Sequence, residues 1–242
     1  MTQTVAARAF VALCGVVAFY AAPPSAEVPF ITDDPGVLAP SEFDGLIYGD
    51  GTWTGSRLEG EVGIDAALGI VEGVEIGVIV PLVRIDDEPD RIAIGDLAVG
   101  AKVSLYDQAG FAVALAPALN IPFGAGERKH VGLDLPVWVG FQAAEWSITG
   151  GGGAGLSSDE DGGDLAFAGI VASRRIAANV SLGAEFYAQS AETGGKPLYL
   201  AGPGIAWDFA PGLTLAAGTH GVLAHRRENG RVNVFLALRV SR

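Results

Sequence analysis

The stretch IAIGDLAVGAKVSLYD, Ile92 to Asp107, is the one whose reading decides the fold. Its odd positions, Ala93, Gly95, Leu97, Val99, Ala101, Val103 and Leu105, are all small or apolar, while Asp96, Lys102 and Ser104 fall on even ones. Side chains of a strand alternate between its two sides, so this segment presents one apolar face and one that carries charge. Two surroundings accept such a strand. With water outside and a core inside it belongs to an ordinary antiparallel sheet; with lipid outside and a polar lumen inside it belongs to a membrane barrel.

The same alternation recurs from Glu42 to the end of the chain, in segments of about 9 to 13 residues, the length of a tilted strand crossing a bilayer. The segments fall near 42–52, 57–70, 73–85, 92–106, 111–123, 131–142, 145–156, 164–175, 178–189, 197–209, 212–223 and 230–240. Longer polar connections, TWTGS, DDEPDR, GAGERKH, SSDEDGG, AETGGKP and AHRRENG, alternate with the short VE, DQAG, AA, AA and APG. Long external loops alternating with short periplasmic turns are the mark of an outer-membrane barrel, and an even strand count puts both ends on the periplasmic side. The expected fold is therefore all-β: an antiparallel up-and-down transmembrane β-barrel of about 12 strands, spanning residues 42–242.

Parity assigns the two faces. Val74, Ile76, Val78, Val80 and Leu82 share one side, as do Leu133, Leu135, Val137, Val139 and Phe141, and Val232, Val234, Leu236, Leu238 and Val240. Opposite them lie Glu59, Glu61, Asp65, Glu75, Asp96, Lys102, Asp134, Glu185, His220 and Arg239, the expected lumen residues. A charge facing lipid near the midplane costs about 2–4 kcal/mol, so the polar parity must turn inward. Glu59, Glu61, Asp65, Glu75 and Asp96 occupy neighbouring strands and are expected to form an acidic patch, with Arg239 pairing to it across the seam. Rings of acidic side chains favour cations. Trp53, Tyr106, Phe111, Phe123, Trp146, Tyr199, Trp207 and Phe209 fall near strand ends, where aromatic girdles belong. A soluble barrel or sandwich shares the alternation, but would have to draw its wetted surface from a face of carboxylates and alanines.

Composition points the same way. Half of the 242 residues are hydrophobic and 18% are charged, which excludes a disordered chain; 35 glycines without a G-X-Y period exclude collagen and imply tight turns and bent strands. Residues 1–26 read as a secretory signal, with Arg8 as the basic n-region, AFVALCGVVAFYAA as an apolar run short for a spanning helix, and a small-residue cleavage site after Ala26. Cys14 lies within it, so the mature chain carries no thiol chemistry. The formal charge of −13 becomes −14 once Arg8 is removed, and no basic stripe offers a footprint for nucleic acid. Residues 27–41, EVPFITDDPGVLAPS, form an extended periplasmic lead-in; Asp33 and Asp34 are placed to fold into the lumen mouth as a plug, or to bind a periplasmic partner.

Three of these stretches, PFITDDPGVLAPSEFD after the signal, IGDLAVGAKVSLYD, and ALNIPFGAGE with its proline-glycine strand end, resemble the outer-membrane family tied to the meta-pathway of phenol degradation, a group of proposed transporters. The resemblance implies a barrel in the outer membrane with a transport role for small molecules, aromatic or hydrophobic ones included. One feature departs from barrels of that membrane: they usually end in an aromatic residue, whereas this chain ends LALRVSR, with Phe235 as the nearest aromatic.

Candidate chemistry is sparse. His130 and His225 sit in polar connections and read as solvated. A phospholipase-type barrel needs Ser and His adjacent and facing lipid, but His220 has lumen parity and no suitably placed Ser. SSDEDGGD, Ser157 to Asp164, lacks the closing glutamate of a calcium loop, and TGGGGAGL lacks the Lys-Ser/Thr of a phosphate cradle. The chain is therefore expected to be a non-enzymatic channel or transporter with no cofactor or metal. Its expected partners are outer-membrane lipid, a small-molecule solute and the barrel assembly machinery. A structural or adhesive barrel without a conducting pore is the alternative, and a membrane-embedded hydrolase a more distant one.

Overall fold

The computed structural model of the chain describes residues 29–54, 57–85, 88–125, 130–158, 164–190, 197–223 and 231–242. The signal segment, His225 and most of SSDEDGGD lie outside these residues. Among the described residues, fourteen strand segments form one antiparallel sheet that closes on itself. β1 (Phe43–Thr54) pairs with β2 (Arg57–Val71) on one side and with β14 (Arg231–Ser241) on the other, in unbroken register from Asp44 opposite Ser241 to Thr54 opposite Arg231. Closure through this seam pairs the first strand with the last, as a sheet in hydrocarbon requires.

The fourteen segments amount to twelve wall-spanning strands, as expected, because two strands are interrupted. β3 (Val74–Ile85) pairs with β4 (Glu88–Ile94) along one part and with β5 (Leu97–Gln108) along the other, so β4 and β5 are one strand bent at Gly95 and Asp96. β6 (Phe111–Leu115) and β7 (Ala118–Ile121) both lie between β5 and β8 (Gly132–Ala143), one strand broken at Ala116 and Pro117. Proline cannot donate to the ladder, which is why the break falls there; the Pro117 carbonyl still accepts from the Ala101 N–H at 3.0 Å. The wall is completed by β9 (Trp146–Ser157), β10 (Leu165–Ala177), β11 (Val180–Gln189), β12 (Leu198–Ala210) and β13 (Leu213–Val222).

Two connections differ from the sequence expectation. Most of DDEPDR is strand β4, and β1 runs through Thr52, Trp53 and Thr54 of TWTGS with β2 beginning at Arg57, so the first two connections at that end are short. Strand pairing continues beyond the bilayer, where both faces are wet and polar composition no longer distinguishes strand from loop. At the opposite end all five turns are tight. Ala109 and Gly110 both have positive φ, 54° and 79°, the two-residue hairpin geometry that matches strand twist.

Burial settles which side is which. The apolar parity is the exposed one: Val99 and Leu105 of the opening stretch are 44% and 59% exposed, while Lys102 between them is 8% exposed. Ile76, Val78, Leu82, Leu135, Val137, Phe141, Val232, Val234 and Leu236 are likewise exposed, as are all eight girdle aromatics. Glu75, Glu185, His220 and Arg239 are buried. Charged residues are almost never fully buried in a water-soluble protein unless paired, so this inversion identifies lipid outside and a polar interior.

Candidate functional site in the barrel lumen

The lumen is crossed by the chain's own N-terminal segment. Residues 29–41, here termed the strap, enter where β1 begins, tied by Ser41 N–H to the Gly69 carbonyl at 2.8 Å and folded by Glu42 N–H to the Ala39 carbonyl at 2.9 Å. From that base the strap reaches well past the mouth, with Thr32 2% and Asp34 7% exposed.

Charged side chains on the wall hold it at three places. Glu185 on β11 accepts the Thr32 N–H at 2.6 Å and the Ile31 N–H at 3.0 Å. Lys102 on β5 donates to Asp33 at 3.0 Å and lies 3.9 Å from Glu75 on β3. Glu75 in turn accepts the Leu38 N–H at 2.7 Å. Asp34 acts within the strap, taking the Gly36 N–H at 2.5 Å and so shaping the Asp-Asp-Pro-Gly bend.

The apolar part of the strap sits on glycine. Gly183, Gly204 and Gly218 are direct partners on β11, β12 and β13, forming a row across the wall. A Cβ at Gly204 would come within 2.6 Å of the Pro29 ring and 2.8 Å of the Phe30 ring, and one at Gly183 within 2.6 Å of Phe30. Gly169 on β10 faces Thr32, and Gly140 on β8 faces Pro35. The absent side chains leave a bed shaped to residues 29–35.

Beside the strap, a cavity of about 570 Å³ opens toward the wall of β1, β3 and β5, lined by Leu46, Tyr48, Asp65, Ile79, Lys102 and Phe235 among others. Tyr48 and Phe235 stack there with centroids 6.1 Å apart. On the far side of Phe30 a smaller space of about 170 Å³ is lined by polar groups including Ser147, Ser173, Arg175 and Asp208.

The expected lumen residues therefore have separate engagements. Glu61 accepts from the Tyr48 hydroxyl at 3.1 Å, and Asp65 lines the larger cavity. Asp134 accepts from Asn120 at 2.7 Å. Asp96 stands at the β4–β5 bend and takes the Phe123 N–H at 3.1 Å, so it caps a strand end instead of joining the acidic patch. The Glu59 side chain lies outside the described residues. Arg239 does bond across the seam, but to Asp44, with Nε 2.8 Å from Oδ1. His220 on β13 reaches over β12 to Glu185, Nε2 to Oε2 at 2.6 Å. His130 is exposed, and Asp164 accepts the Ser157 N–H at 2.9 Å. TGGGGAGL is strand β9, where Gly151 and Gly153 pass close to the backbone of β8. Asp44, Tyr48, Phe30 and the glycine row carry the site without having been singled out; inward parity was the available signal for those on strands.

These features define a closed transmembrane barrel with a strap of its own chain inside the lumen. Residues 46–240 match the family described as "Putative MetA-pathway of phenol degradation", and the chain belongs to that family. Its fold is similar to the crystal structure of an outer membrane channel from Pseudomonas putida F1, with TM-score 0.65 and 12% identity over 86% of this chain and 98% of that one. It is also similar to the KdgM porin in complex with disordered oligogalacturonate, with TM-score 0.60 and 8% identity over 81% of this chain and 99% of that one. No curated protein matches the chain. The protein has the β-barrel architecture of outer-membrane channels and porins.

Proposed function

We propose that this barrel is a channel for small amphipathic solutes whose path is the lumen and whose obstruction is the strap. The observation that carries the reading is the placement of residues 29–41 within the wall, with a cavity of about 570 Å³ left beside them. That volume lies in the range of small-molecule sites, about 300–1,000 Å³, and its lining combines an aromatic pair and aliphatic residues with a few charges. Removal of residues 1–26, insertion by the assembly machinery and contact with outer-membrane lipid belong to the same proposal. A non-enzymatic role is supported by the engagement of His220, whose Nε2 is directed at Glu185 inside the lumen and away from lipid.

The test is conductance across planar bilayers. Deleting Ile31 to Gly36 is expected to raise single-channel conductance several-fold over the full chain. Unchanged, negligible conductance in both would favour a filled structural barrel.

The solute path should also prefer cations. Glu61 and Asp65 face it from β2, and their field acts within a Debye length of about 10 Å at 0.1 M salt. Reversal potentials across a salt gradient are expected to show cation preference in the wild type and less of it in a Glu61→Gln, Asp65→Asn variant. Equal potentials would remove these carboxylates from the path.

A further inference from the structure

The strap is held by acceptors that acid can neutralise. Glu185 is the strongest case: its side chain is fully buried, and both oxygens face donors. Oε1 takes the Thr32 N–H; Oε2 takes the Ile31 N–H and lies 2.6 Å from His220 Nε2. The arrangement depends on Gly202, the direct partner of Glu185 on the intervening strand β12. A Cβ there would run into the backbone of Thr219 and His220, so glycine lets β13 approach β12 closely at the level of His220.

We propose that Glu185 and His220 form an acid-released latch for the strap: docked while Glu185 is ionised, freed when it takes up a proton. The inference rests on the reading of the strap as the obstruction in a channel. An ionised carboxylate is an acceptor only, which suits three converging donors; a protonated one places a hydrogen among them and loses the charge that strengthens each bond. Releasing the strap takes the Ile31 and Thr32 donors away from the carboxylate, and those two bonds favour its ionised form, so release and protonation of Glu185 favour each other. Release is therefore accompanied by proton uptake and becomes more favourable as pH falls. The imidazole of His220, 2.6 Å from Oε2, is the wall's own contact to the ionised carboxylate and so bears on the pH at which the latch opens.

Other titratable groups face the pair from neighbouring elements. Tyr187 on β11 and Asp134 on β8 lie on the Glu185 side, and Asp50 on β1 lies on the His220 side. On the strap itself Asp33 is paired with Lys102, and Asp34 holds the bend. Glu75 accepts the Leu38 N–H, so this lower tie also has a carboxylate acceptor.

The experiment uses the folded full chain in planar bilayers, with folding of each variant checked by its heat-modifiable mobility on gels. Conductance is followed from about pH 7.5 to about pH 3, a window that passes below the ordinary glutamate value of about 4.3. Wild type is expected to rise several-fold on acidification, reversibly. Glu185→Gln should conduct at the raised level already at neutral pH, and His220→Gln should shift the transition to less acidic pH. Should Glu185→Gln fail to fold, Glu185→Asp keeps the charge but shortens the reach, and is expected to be open at neutral pH as well. Deleting Ile31 to Gly36 gives the reference open level. If that deletion leaves conductance unchanged, the strap is no obstruction and the channel reading itself fails. If the deletion opens the pore while wild type stays flat with pH, or Glu185→Gln and Glu185→Asp keep the wild-type profile, the latch is overturned and the channel stands.

Discussion

Gly204→Leu is expected to empty the lumen without removing a single residue of the strap. The new side chain would project from β12 into the place of the Pro29 and Phe30 rings, which lie 2.6 Å and 2.8 Å from where its Cβ must go. Both flanking partners in the row, Gly183 and Gly218, also meet the strap, so the rings cannot shift sideways along the same level. Overpacking a fitted contact costs about 1–3 kcal/mol, a factor of roughly five to 150 in the ratio of docked to free strap. A barrel core would have to absorb that strain, but a strap anchored to the wall at Ser41 can leave instead. Conductance is expected to approach that of the strap deletion, with barrel stability unchanged. The same substitution at an outward position, Ala184→Leu, should leave conductance at the wild-type value. A Gly204→Leu protein with wild-type conductance would show that the strap accommodates the change in place, and the glycine row would lose its role as a seat.

The second large effect concerns the outer wall. Ile170 stands near the middle of β10, is 52% exposed, and has Phe186 and Gly150 as its partners on either side. Ile170→Arg would put a charge at the level of the bilayer midplane, at a cost of about 2–4 kcal/mol, or roughly thirty- to a thousandfold in the folding equilibrium. Denaturant titration in lipid vesicles should show that loss, and a surface substitution on a water-soluble barrel would change stability by only about 0.5 kcal/mol. Stability equal to wild type in vesicles would falsify the assignment of this band to hydrocarbon.

What could be read from the sequence was what depends on one strand at a time. Val99 outward and Lys102 inward follow from a period of two, a local property that survives any error in strand ends. The count of twelve strands follows from the same period, with the Ala116–Pro117 break hidden inside one of them. Contacts between strands were less legible, because they need the stagger of one strand against the next. Arg239 illustrates this. Seam register sets it opposite Leu46, and its guanidinium then leans along the seam to Asp44, a residue that alternation alone does not distinguish from the acidic patch on β2. The alignment of Gly183, Gly204 and Gly218 is a register property too, and β12 shifts its pairing with β13 between Asp208 and Ala210. Asp33 and Asp34 were recognisable as unusual, but the lysine and glutamates that receive the strap come from strands far away in the chain.

The junction between Ser41 and β1 has a consequence for how firmly the strap must bind. An unattached peptide of the same sequence would compete for the glycine bed only at its own concentration in solution. The strap is tethered a few residues from its seat, and a short tether holds residues 29–35 at an effective concentration in the millimolar range. Weak docking, with an intrinsic dissociation constant near millimolar, already keeps such a segment seated about half the time. Reseating after release is then an intramolecular event needing no partner, and micromolar amounts of free strap peptide should not block a barrel from which the strap has been cut.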